Sequence, residues 1–429
     1  MNKSKTLLVS LRSPFLDNDR VYPALANLYL KASMNQAGLE SYVTDDSNSV
    51  NLNDYTHIGV SIMTPQRALA TKLIYELKFN YPDKIVIAGG PHAKHYTKEL
   101  ESQPWDFIIT DDGERVLPAI IRGSETRRVV TDKLSRQELT DMPRPDRLGC
   151  AEYLSGYTYI LDGKRSGTML TARGCPEQCT FCEDAMTTTR RTPVEKIGKE
   201  LDDLVLLGYQ GVYLFDDIFA MSPKITGPIC DELDQRGLIY RCNGQARMMT
   251  EPLMKLLGET GCREIAFGAE TGSQTILNNI KKRTTVQQNY NFVDWARKYN
   301  IPLKLFILLG LPGENRETLK DTEQFIAHSK ASDVQVAIYY PYKGTQIREA
   351  IDSGMDIDMT FSGEGLGAYG QRGGESEYVV GTKELSSQDL HEFRDHLVQT
   401  YRPKAHSKHK IIQKREEDEF FMQFERIPK

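Results

Sequence analysis

The chain has 429 residues, of which 39% are hydrophobic and 26% charged, and its formal net charge is −5. This length exceeds one ordinary domain, so we expect two folded units and a tail. The mild negative charge argues against a general nucleic-acid binder, which would carry a basic face. No stretch approaches the ~18 apolar residues of a membrane span. We therefore expect no nucleic acid and no membrane among the partners.

The amino terminus and the cysteines indicate the cellular compartment of the protein. The first apolar run, residues 6–11, is too short for a secretory signal and is closed by Arg12. Seven cysteines are an odd and modest number for this length. We expect a cytoplasmic protein, in which clustered cysteines indicate metal binding rather than disulfides.

Residues 1–125 alternate short apolar strands with helices. The predicted strands are 6–10, 42–44, 58–63, 85–88 and 107–110, and the predicted helices are 23–37, 66–79 and 115–121. Strands separated by helices predict a parallel, doubly wound sheet of Rossmann-like type.

Residues 126–165 lose this rhythm and contain Pro143 and Pro145, so we expect a linker. The alternation then resumes, with predicted strands at 168–171, 211–215, 240–244, 264–268, 303–309 and 333–339. Predicted helices follow at 193–207, 223–236, 251–260, 285–299 and 316–329. Six β/α steps predict a partial (β/α)6 TIM-like barrel over residues 166–343, with function at the carboxyl ends of its strands.

Residues 344–429 are less regular and form a small carboxyl-terminal region. The glycine-rich stretch 363–374 is a candidate lid, and the charge block between 404 and 419 is typical of a solvated tail.

Three cysteines stand immediately after the first predicted barrel strand. Cys175, Cys179 and Cys182 form a C-x3-C-x2-C motif. Iron–sulfur cubanes normally take four thiolates, so three would leave one iron open to a ligand that is not protein. The alternatives are a zinc site with its fourth ligand elsewhere and three unrelated thiols.

This motif, with Phe181 before the last cysteine, resembles the radical S-adenosylmethionine (SAM) signature, and residues 168–340 resemble the barrel of that superfamily. The resemblance implies a [4Fe–4S] cluster whose open iron is chelated by the methionyl amine and carboxylate of SAM. One electron from the cluster then cleaves SAM to methionine and a 5′-deoxyadenosyl radical. The resemblance also implies an external one-electron reductant such as flavodoxin or ferredoxin.

The second and third barrel strands end on candidate SAM contacts. Asp216 and Asp217 follow the second strand, where the resemblance implies one contact to the methionyl amine without deciding which aspartate makes it. Arg247 follows the third strand and suits the methionyl carboxylate, because a guanidinium fork matches a carboxylate.

The fourth and fifth strands end in the same way. Glu270 resembles the position that contacts the ribose or the amine of SAM. Gly310, Pro312 and Gly313 lie where glycines would let the backbone approach the adenine. For polar residues and glycines at strand ends, the alternative functions are helix capping and turn formation.

The amino-terminal unit resembles the cobalamin-binding domain that precedes many radical SAM barrels. The resemblance rests on Pro23-Ala24-Leu25 at the start of the first helix, on Ser61 to Thr64 after the third strand and on Ala88 to His92, with Gly89 and Gly90, after the fourth. Glu114 lies in Asp111-Asp112-Gly113-Glu114 after the fifth strand, where relatives have a similar sequence. These residues lie at the strand edge where an open α/β sheet binds ligands. The glycines would admit the nucleotide tail of the corrinoid, and Ser61 or Thr64 could hydrogen-bond it.

One departure concerns cobalt. The Asp-x-His-x-x-Gly motif of other cobalamin proteins is absent, so we expect cobalamin without histidine ligation from that motif. His92 and His95 lie nearby without an assigned role. The alternative is a Rossmann-like domain that binds no cofactor and only supports the barrel.

These observations predict a radical SAM enzyme, with cobalamin-dependent methylation of an unactivated carbon as the leading reaction. Its substrate, a small molecule or a peptide, is not identified by the sequence; Tyr340, Tyr369 and Arg372 are candidate pocket residues. The alternatives are a cobalamin-containing radical SAM enzyme that catalyses a rearrangement, cyclisation or oxidation, and a non-catalytic metal-binding or interaction protein.

Overall fold

A computed structural model describes residues 4–12, 20–363 and 379–402. Tyr369, Arg372, the glycine-rich stretch after residue 363 and the charge block at 404–419 lie outside the described residues. The predictions made for them stay predictions.

The amino-terminal sheet has six parallel strands in the order β2-β1-β3-β4-β5-β6. Its strands are β1 (Lys5–Ser10), β2 (Glu40–Thr44), β3 (His57–Ser61), β4 (Ile85–Gly89), β5 (Phe107–Ile109) and β6 (Val129–Val130). Its helices are α1 (Leu25–Gln36), α2 (Arg67–Asn80), α3 (Pro91–His95), α4 (Thr97–Glu101) and α5 (Val116–Ile121). The strand order reverses between β1 and β3, which is where doubly wound sheets bind ligands.

Both faces of this sheet are covered, as a parallel sheet requires. Ile58 and Val60 of β3 belong to one buried cluster, which includes side chains of α2. Leu8 of β1 and Ile87 of β4 belong to the other, which includes side chains of α1 and α5. The continuous apolar runs in these strands follow from burial on two sides.

The segment expected to be a linker contributes to both sheets. Its elements are α6 (Arg136–Asp141), α7 (Ala151–Ser155) and β7 (Ile160–Leu161), and its first residues include β6 of the first sheet. β7 pairs antiparallel with the first barrel strand, β8 (Lys164–Met169). Between α6 and α7, Arg147 is buried and donates to the Glu200 carboxylate at 2.6 Å and to the Thr168 carbonyl at 2.5 Å.

The second sheet has seven strands in the order β15-β14-β13-β12-β11-β8-β7, and all but β7 run parallel. After β8, its strands are β11 (Gly211–Leu214), β12 (Ile239–Gly244), β13 (Cys262–Glu270), β14 (Leu303–Leu309) and β15 (Asp333–Ile338). A short hairpin, β9 (Ala172–Arg173) with β10 (Arg190–Arg191), stands between β8 and β11.

Helices connect these strands and cover their outer face. They are α8 (Val194–Leu206), α9 (Pro223–Gln235), α10 (Glu251–Glu259), α11 (Gln274–Asn279), α12 (Val286–Lys298) and α13 (Arg316–Ser329). Along β14, buried residues alternate with half-buried ones, so one side packs on helices and the other faces the open interior of the barrel. The predicted fold class, a Rossmann-like sheet followed by a partial barrel, is confirmed.

The carboxyl-terminal region closes one edge of the barrel. Its elements are α14 (Gln346–Asp352), β16 (Thr360–Phe361), β17 (Val380–Gly381) and α15 (Ser387–Tyr401). α15 packs along the edge strand β15. In the part of the chain that the structure describes, no helix combines the length and apolar character needed to cross a membrane.

The Arg147–Glu200 pair yields a stability prediction. Replacing Arg147 by Met leaves the Glu200 carboxylate buried without its charged partner, and we expect the free energy of unfolding to fall by about 3–5 kcal/mol. Urea denaturation followed by circular dichroism measures this change.

The matched control is Arg144→Met. Arg144 pairs with Asp203 at 3.2 Å, but its side chain is 35% exposed, so solvent screens the pair. We expect the free energy of unfolding of this variant to fall by about 0–1 kcal/mol. Equal losses in the two variants would contradict the buried pair as the anchor of this segment.

Candidate functional site

The cysteine loop folds back on itself at the end of the first barrel strand. Its entry is Gly174, which has φ of +89°, and a Cβ there would lie 2.7 Å from the Thr188 carbonyl oxygen. Only glycine fits this turn. The β9–β10 hairpin ties the two ends of the loop together.

Backbone hydrogen bonds hold the loop closed. The Cys175 amide donates to the Thr187 hydroxyl at 2.8 Å, and the Thr187 amide donates back to the Cys175 carbonyl at 2.9 Å. The Met186 amide donates to the Glu177 carbonyl at 2.7 Å, and the Cys182 amide to the Cys179 carbonyl at 3.2 Å. The loop therefore holds its shape through its own hydrogen bonds.

All seven cysteines are free thiols, and Cys179 is buried. Burial raises the pKa of Cys175 to about 11 and that of Cys182 to about 12. These thiols give up their protons only to a metal, because coordination requires the thiolate. Among the described residues, no three His, Cys, Asp or Glu side chains are grouped to hold a single metal ion. A [4Fe–4S] cubane does not require the three thiolates to meet on one ion, because each thiolate binds a different iron of the cluster.

A buried ion pair packs against this loop. Glu270 ends β13 with φ of +64°, at an irregularity in its pairing with β14, and such strained positions often mark functional sites. Its carboxylate accepts from Lys282 Nζ at 2.6 Å, and Nζ lies 5.5 Å from the Phe181 ring centroid. Burial lowers the pKa of Lys282, but the Glu270 carboxylate outweighs burial, so its pKa lies above the ordinary value. Sequence reasoning missed Lys282, because nothing separates it in the sequence from its exposed neighbours Lys281 and Arg283.

The two aspartates after β11 have different surroundings. Asp216 is buried and accepts from the Thr171 amide at 2.6 Å and from the Thr171 hydroxyl. The Asp217 side chain is instead exposed. Partial burial by the surrounding protein raises the pKa of Asp217 to about 6, with Asp184 adding to the effect and Lys94 opposing it. Asp216 thus holds β8 and β11 together, while the Asp217 carboxylate is accessible.

Arg247 lies against the cysteine loop. Its guanidinium binds the carboxylate of Glu177, which is itself buried. The pair joins the end of β12 to the loop that carries the three cysteines. Glu177 gave no signal in the sequence, because its role depends on the folded loop.

Backbone angles and close neighbours explain why glycines follow β14. Gly310 and Gly313 have φ of +80° and +82°. A Cβ on Gly310 would lie 3.0 Å from Leu390 and from Val380. The Pro312 carbonyl accepts from Asn279 Nδ2 at 2.9 Å. The backbone at this strand end requires glycine whether or not adenine binds there, so the adenine contact stays a prediction.

The amino-terminal sheet carries a cavity at its carboxyl edge, on the face covered by α1 and α5. It encloses about 920 Å³, part of it open to solvent. Gly59, Ser61 and Gly89 form its floor, and Tyr29 of α1 and Leu117 of α5 form its walls. Three small residues on one sheet face leave room where larger side chains would pack.

The two predicted glycines differ in what they tolerate. A Cβ on Gly89 would be 3.9 Å from its nearest neighbour, an ordinary contact. Gly90 has φ of +91°, and a Cβ there would lie 2.8 Å from the Ile62 carbonyl oxygen. Gly90 is therefore needed by the fold, whereas Gly89 keeps the cavity open. Thr64 lies in the following turn and does not belong to the cavity lining.

Charged groups join the cavity to the cysteine loop. Arg173, two residues before Cys175, donates to Asp112 at 2.8 Å and to Glu114 at 2.5 Å. Arg190 binds Asp112 from the other strand of the hairpin. The Arg173 guanidinium also lies 4.9 Å from the ring centroid of Tyr29. Glu114, which the sequence predicts as a cofactor contact, thus lines the cavity and also accepts a hydrogen bond from Arg173 at the start of the cysteine loop.

The unassigned histidines brace the structure. His92 is fully buried and stacks on Tyr96 with ring centroids 4.7 Å apart. His95 Nε2 lies 3.5 Å from the Glu183 carboxylate. Burial lowers the pKa of His95 to about 4, so its ring is neutral near pH 7.

Known proteins resemble this chain in sequence. An uncharacterized methyltransferase of Pyrococcus horikoshii is 28% identical over 64% of this chain and 65% of its own length. A bacteriochlorophyllide d C-12(1)-methyltransferase of Chlorobaculum tepidum is 23% identical over 80% of this chain and 77% of that one. This chain spans 65%, 59% and 54% of the first three curated relatives, less than two thirds of each.

Two solved structures share the fold. One is the radical S-adenosylmethionine methyltransferase TsrM of Kitasatospora setae with cobalamin and a [4Fe–4S] cluster, with a TM-score of 0.67, 18% identity, and coverage of 85% of this chain and 78% of that one. The other is the cobalamin-dependent S-adenosylmethionine radical enzyme OxsB with aqua-cobalamin and S-adenosylmethionine, with a TM-score of 0.68, 17% identity, and coverage of 97% and 71%. The groups bound in these two proteins are the three cofactors that the sequence predicts.

The cysteine loop lies at the end of the first barrel strand, and the strands that follow form the predicted partial barrel. Residues 169–326, which hold the loop and four of these strands, match the Radical SAM superfamily. This part of the chain is therefore a Radical SAM domain.

Proposed function

We propose that this chain is a cobalamin-dependent radical SAM methyltransferase that acts on an unactivated carbon. The observation that carries the proposal is the junction at Arg173. This residue lines the cavity of the first sheet and precedes Cys175 by two positions, so the two cofactor sites would share a wall. When bound, the cluster supplies an electron for SAM cleavage, and cobalamin carries the methyl group.

Cys175, Cys179 and Cys182 would hold the cluster. The loop fits this role because its backbone is closed by its own hydrogen bonds and its thiols are free. Three thiolates leave one iron for the methionyl group of SAM. The protein's part is to keep the thiolates in place and to exclude water from them.

Asp217 is the better candidate for the methionyl amine. Its side chain is exposed, whereas both carboxylate oxygens of Asp216 accept hydrogen bonds from Thr171. Arg247 would meet the methionyl carboxylate with the donors that Glu177 leaves free, because a guanidinium has five N–H groups. Glu270, held by Lys282, would contact the ribose or the amine.

The cavity of the first sheet would take the nucleotide tail of cobalamin. Gly59, Ser61 and Gly89 leave a groove that none of the described residues fills, and Ser61 offers a hydroxyl within it. His92 and His95 are held by other contacts, which favours cobalamin without a histidine ligand. We also propose the domain division 1–125, 126–165, 166–343 and 344–429, a cytoplasmic location, and a flavodoxin- or ferredoxin-like reductant.

The substrate would enter between the two sheets. Tyr340 follows β15 and packs on Phe361 with ring centroids 5.4 Å apart, so it would form part of a pocket wall. A cobalamin-containing radical enzyme that does not methylate is the second candidate, since the same two sites support it. Anaerobic turnover separates the two: methylation yields S-adenosylhomocysteine alongside 5′-deoxyadenosine, and the other reactions yield only the latter.

The cluster is tested by Cys182→Ala. We expect reconstituted iron to fall from about four atoms per chain, because a cubane needs all three thiolates here, and reductive SAM cleavage to be lost. Iron analysis and chromatography of 5′-deoxyadenosine measure the two effects. Cys150→Ala, a buried cysteine outside the loop, should keep both. Zinc in place of iron in the wild-type protein would contradict the proposal.

The cobalamin cavity is tested by Gly89→Leu. The position accepts a side chain without a backbone clash, so the leucine should fill only the cavity. We expect the affinity for hydroxocobalamin to fall by about tenfold or more, while iron content stays unchanged. The control is Gly227→Leu on α9, where a Cβ is likewise 3.8 Å from its neighbour. Unchanged cobalamin binding by Gly89→Leu would rule out this cavity.

The amine contact is tested by Asp217→Asn. Loss of a charge-assisted hydrogen bond should weaken SAM binding by about tenfold or more, measured by anaerobic calorimetry on the reconstituted protein. Asp231→Asn makes the same charge change on an exposed side chain of α9. We expect its SAM affinity to stay within about twofold of wild type. Equal weakening by both variants would point to overall charge instead of a contact.

A further inference from the structure

Lys282 is the one buried ammonium that packs on the cysteine loop among the described residues. It follows α11, and only 8% of the residue is exposed. Its Nζ lies 2.6 Å from Glu270 and 5.5 Å from the ring centroid of Phe181, which stands between Cys179 and Cys182 in sequence. No step of the proposed reaction uses this charge.

The backbone holds Lys282 in this place. The Thr180 amide of the cysteine loop donates to the Ile280 carbonyl at 2.9 Å, and the Lys282 amide donates to the Leu277 carbonyl at 3.0 Å. Lys281 and Arg283 have φ of +50° and +57°. Lys281 and Arg283 are exposed, while Lys282 between them is buried. The strained backbone on either side of Lys282 therefore directs this one side chain into the protein interior.

The geometry places the charge of Lys282 against the cysteine loop. Its Nζ lies over the ring of Phe181, a residue of that loop, at 5.5 Å from the centroid. The segment that carries Lys282 is also hydrogen-bonded to the loop through the Thr180 amide. The ammonium therefore lies beside the loop that would hold the cluster.

We propose that Lys282 is a positioning residue that sets the reduction potential of the cluster. This inference rests on the proposed cluster. An electron from the external one-electron reductant adds negative charge to a centre already held by three thiolates. A buried cation nearby stabilises the reduced form, because the interior screens charge poorly. Lys282 thus makes the cluster easier to reduce, and the same ammonium orients Glu270.

The test compares two adjacent lysines. Lys282→Met and Lys281→Met each remove one positive charge, but Lys281 is exposed and screened by water. The reconstituted proteins are poised anaerobically at a fixed potential without SAM, and the reduced cluster is quantified by electron paramagnetic resonance. We expect the ratio of reduced to oxidised cluster to fall about tenfold in Lys282→Met and to change by less than about twofold in Lys281→Met. Lys282→Arg should restore the wild-type ratio.

A second variant covers the case in which Lys282→Met fails to fold around an unpaired Glu270. The double variant Lys282→Met, Glu270→Gln removes both buried charges. Its ratio should still fall, because the ammonium is the charge that lies over Phe181 of the cysteine loop. Wild-type ratios in Lys282→Met and in the double variant, where these load the cluster, would overturn the inference and leave the proposed function standing. Failure of the wild-type protein to assemble a [4Fe–4S] cluster would overturn the proposed function itself.

Discussion

The contact on which the arrangement of the two sheets depends is the binding of Arg173 and Arg190 by Asp112 and Glu114. The two acids follow β5 of the first sheet, and the two guanidiniums flank the cysteine loop of the second. Burial raises the pKa of Asp112, but the guanidiniums outweigh burial and hold its pKa below the ordinary value. The group is balanced in charge, which is the condition for charges to be buried without a large penalty.

This contact has a geometric consequence for both candidate sites. Parallel sheets bind ligands at the carboxyl ends of their strands, and the four charged residues join those two edges directly. The loop that carries Cys175 therefore cannot move away from the cavity of the first sheet without breaking the ion pairs. Any chemistry that passes a group between the two edges needs such fixed separation, since small misplacements of reacting groups are costly.

Sequence patterns predicted the regular elements of the barrel well. β14 and α13 begin and end where the apolar periodicity places them, because their outer faces pack on neighbours along their whole length. The first barrel strand was less exact: it runs over Lys164–Met169, earlier than the predicted 168–171, because its polar start pairs with β7. The segment 126–165 gave no periodic signal, since β6 and β7 have only two residues each and Arg147 anchors the chain through a single buried side chain.

The candidate site shows a different limit. Sequence spacing predicted the strand ends, but it did not predict which polar side chains are already hydrogen-bonded to other residues of the protein. Asp216 and Asp217 are adjacent and chemically identical, yet the first is buried and hydrogen-bonded to Thr171 while the second is exposed. The same distinction divides Glu114, which is bound to Arg173, from Ser61. A side chain whose hydrogen bonds are made within the protein shapes the site, and one whose hydrogen bonds are free can bind a ligand. That assignment depends on contacts between residues tens of positions apart, so the pattern of one local motif does not contain it.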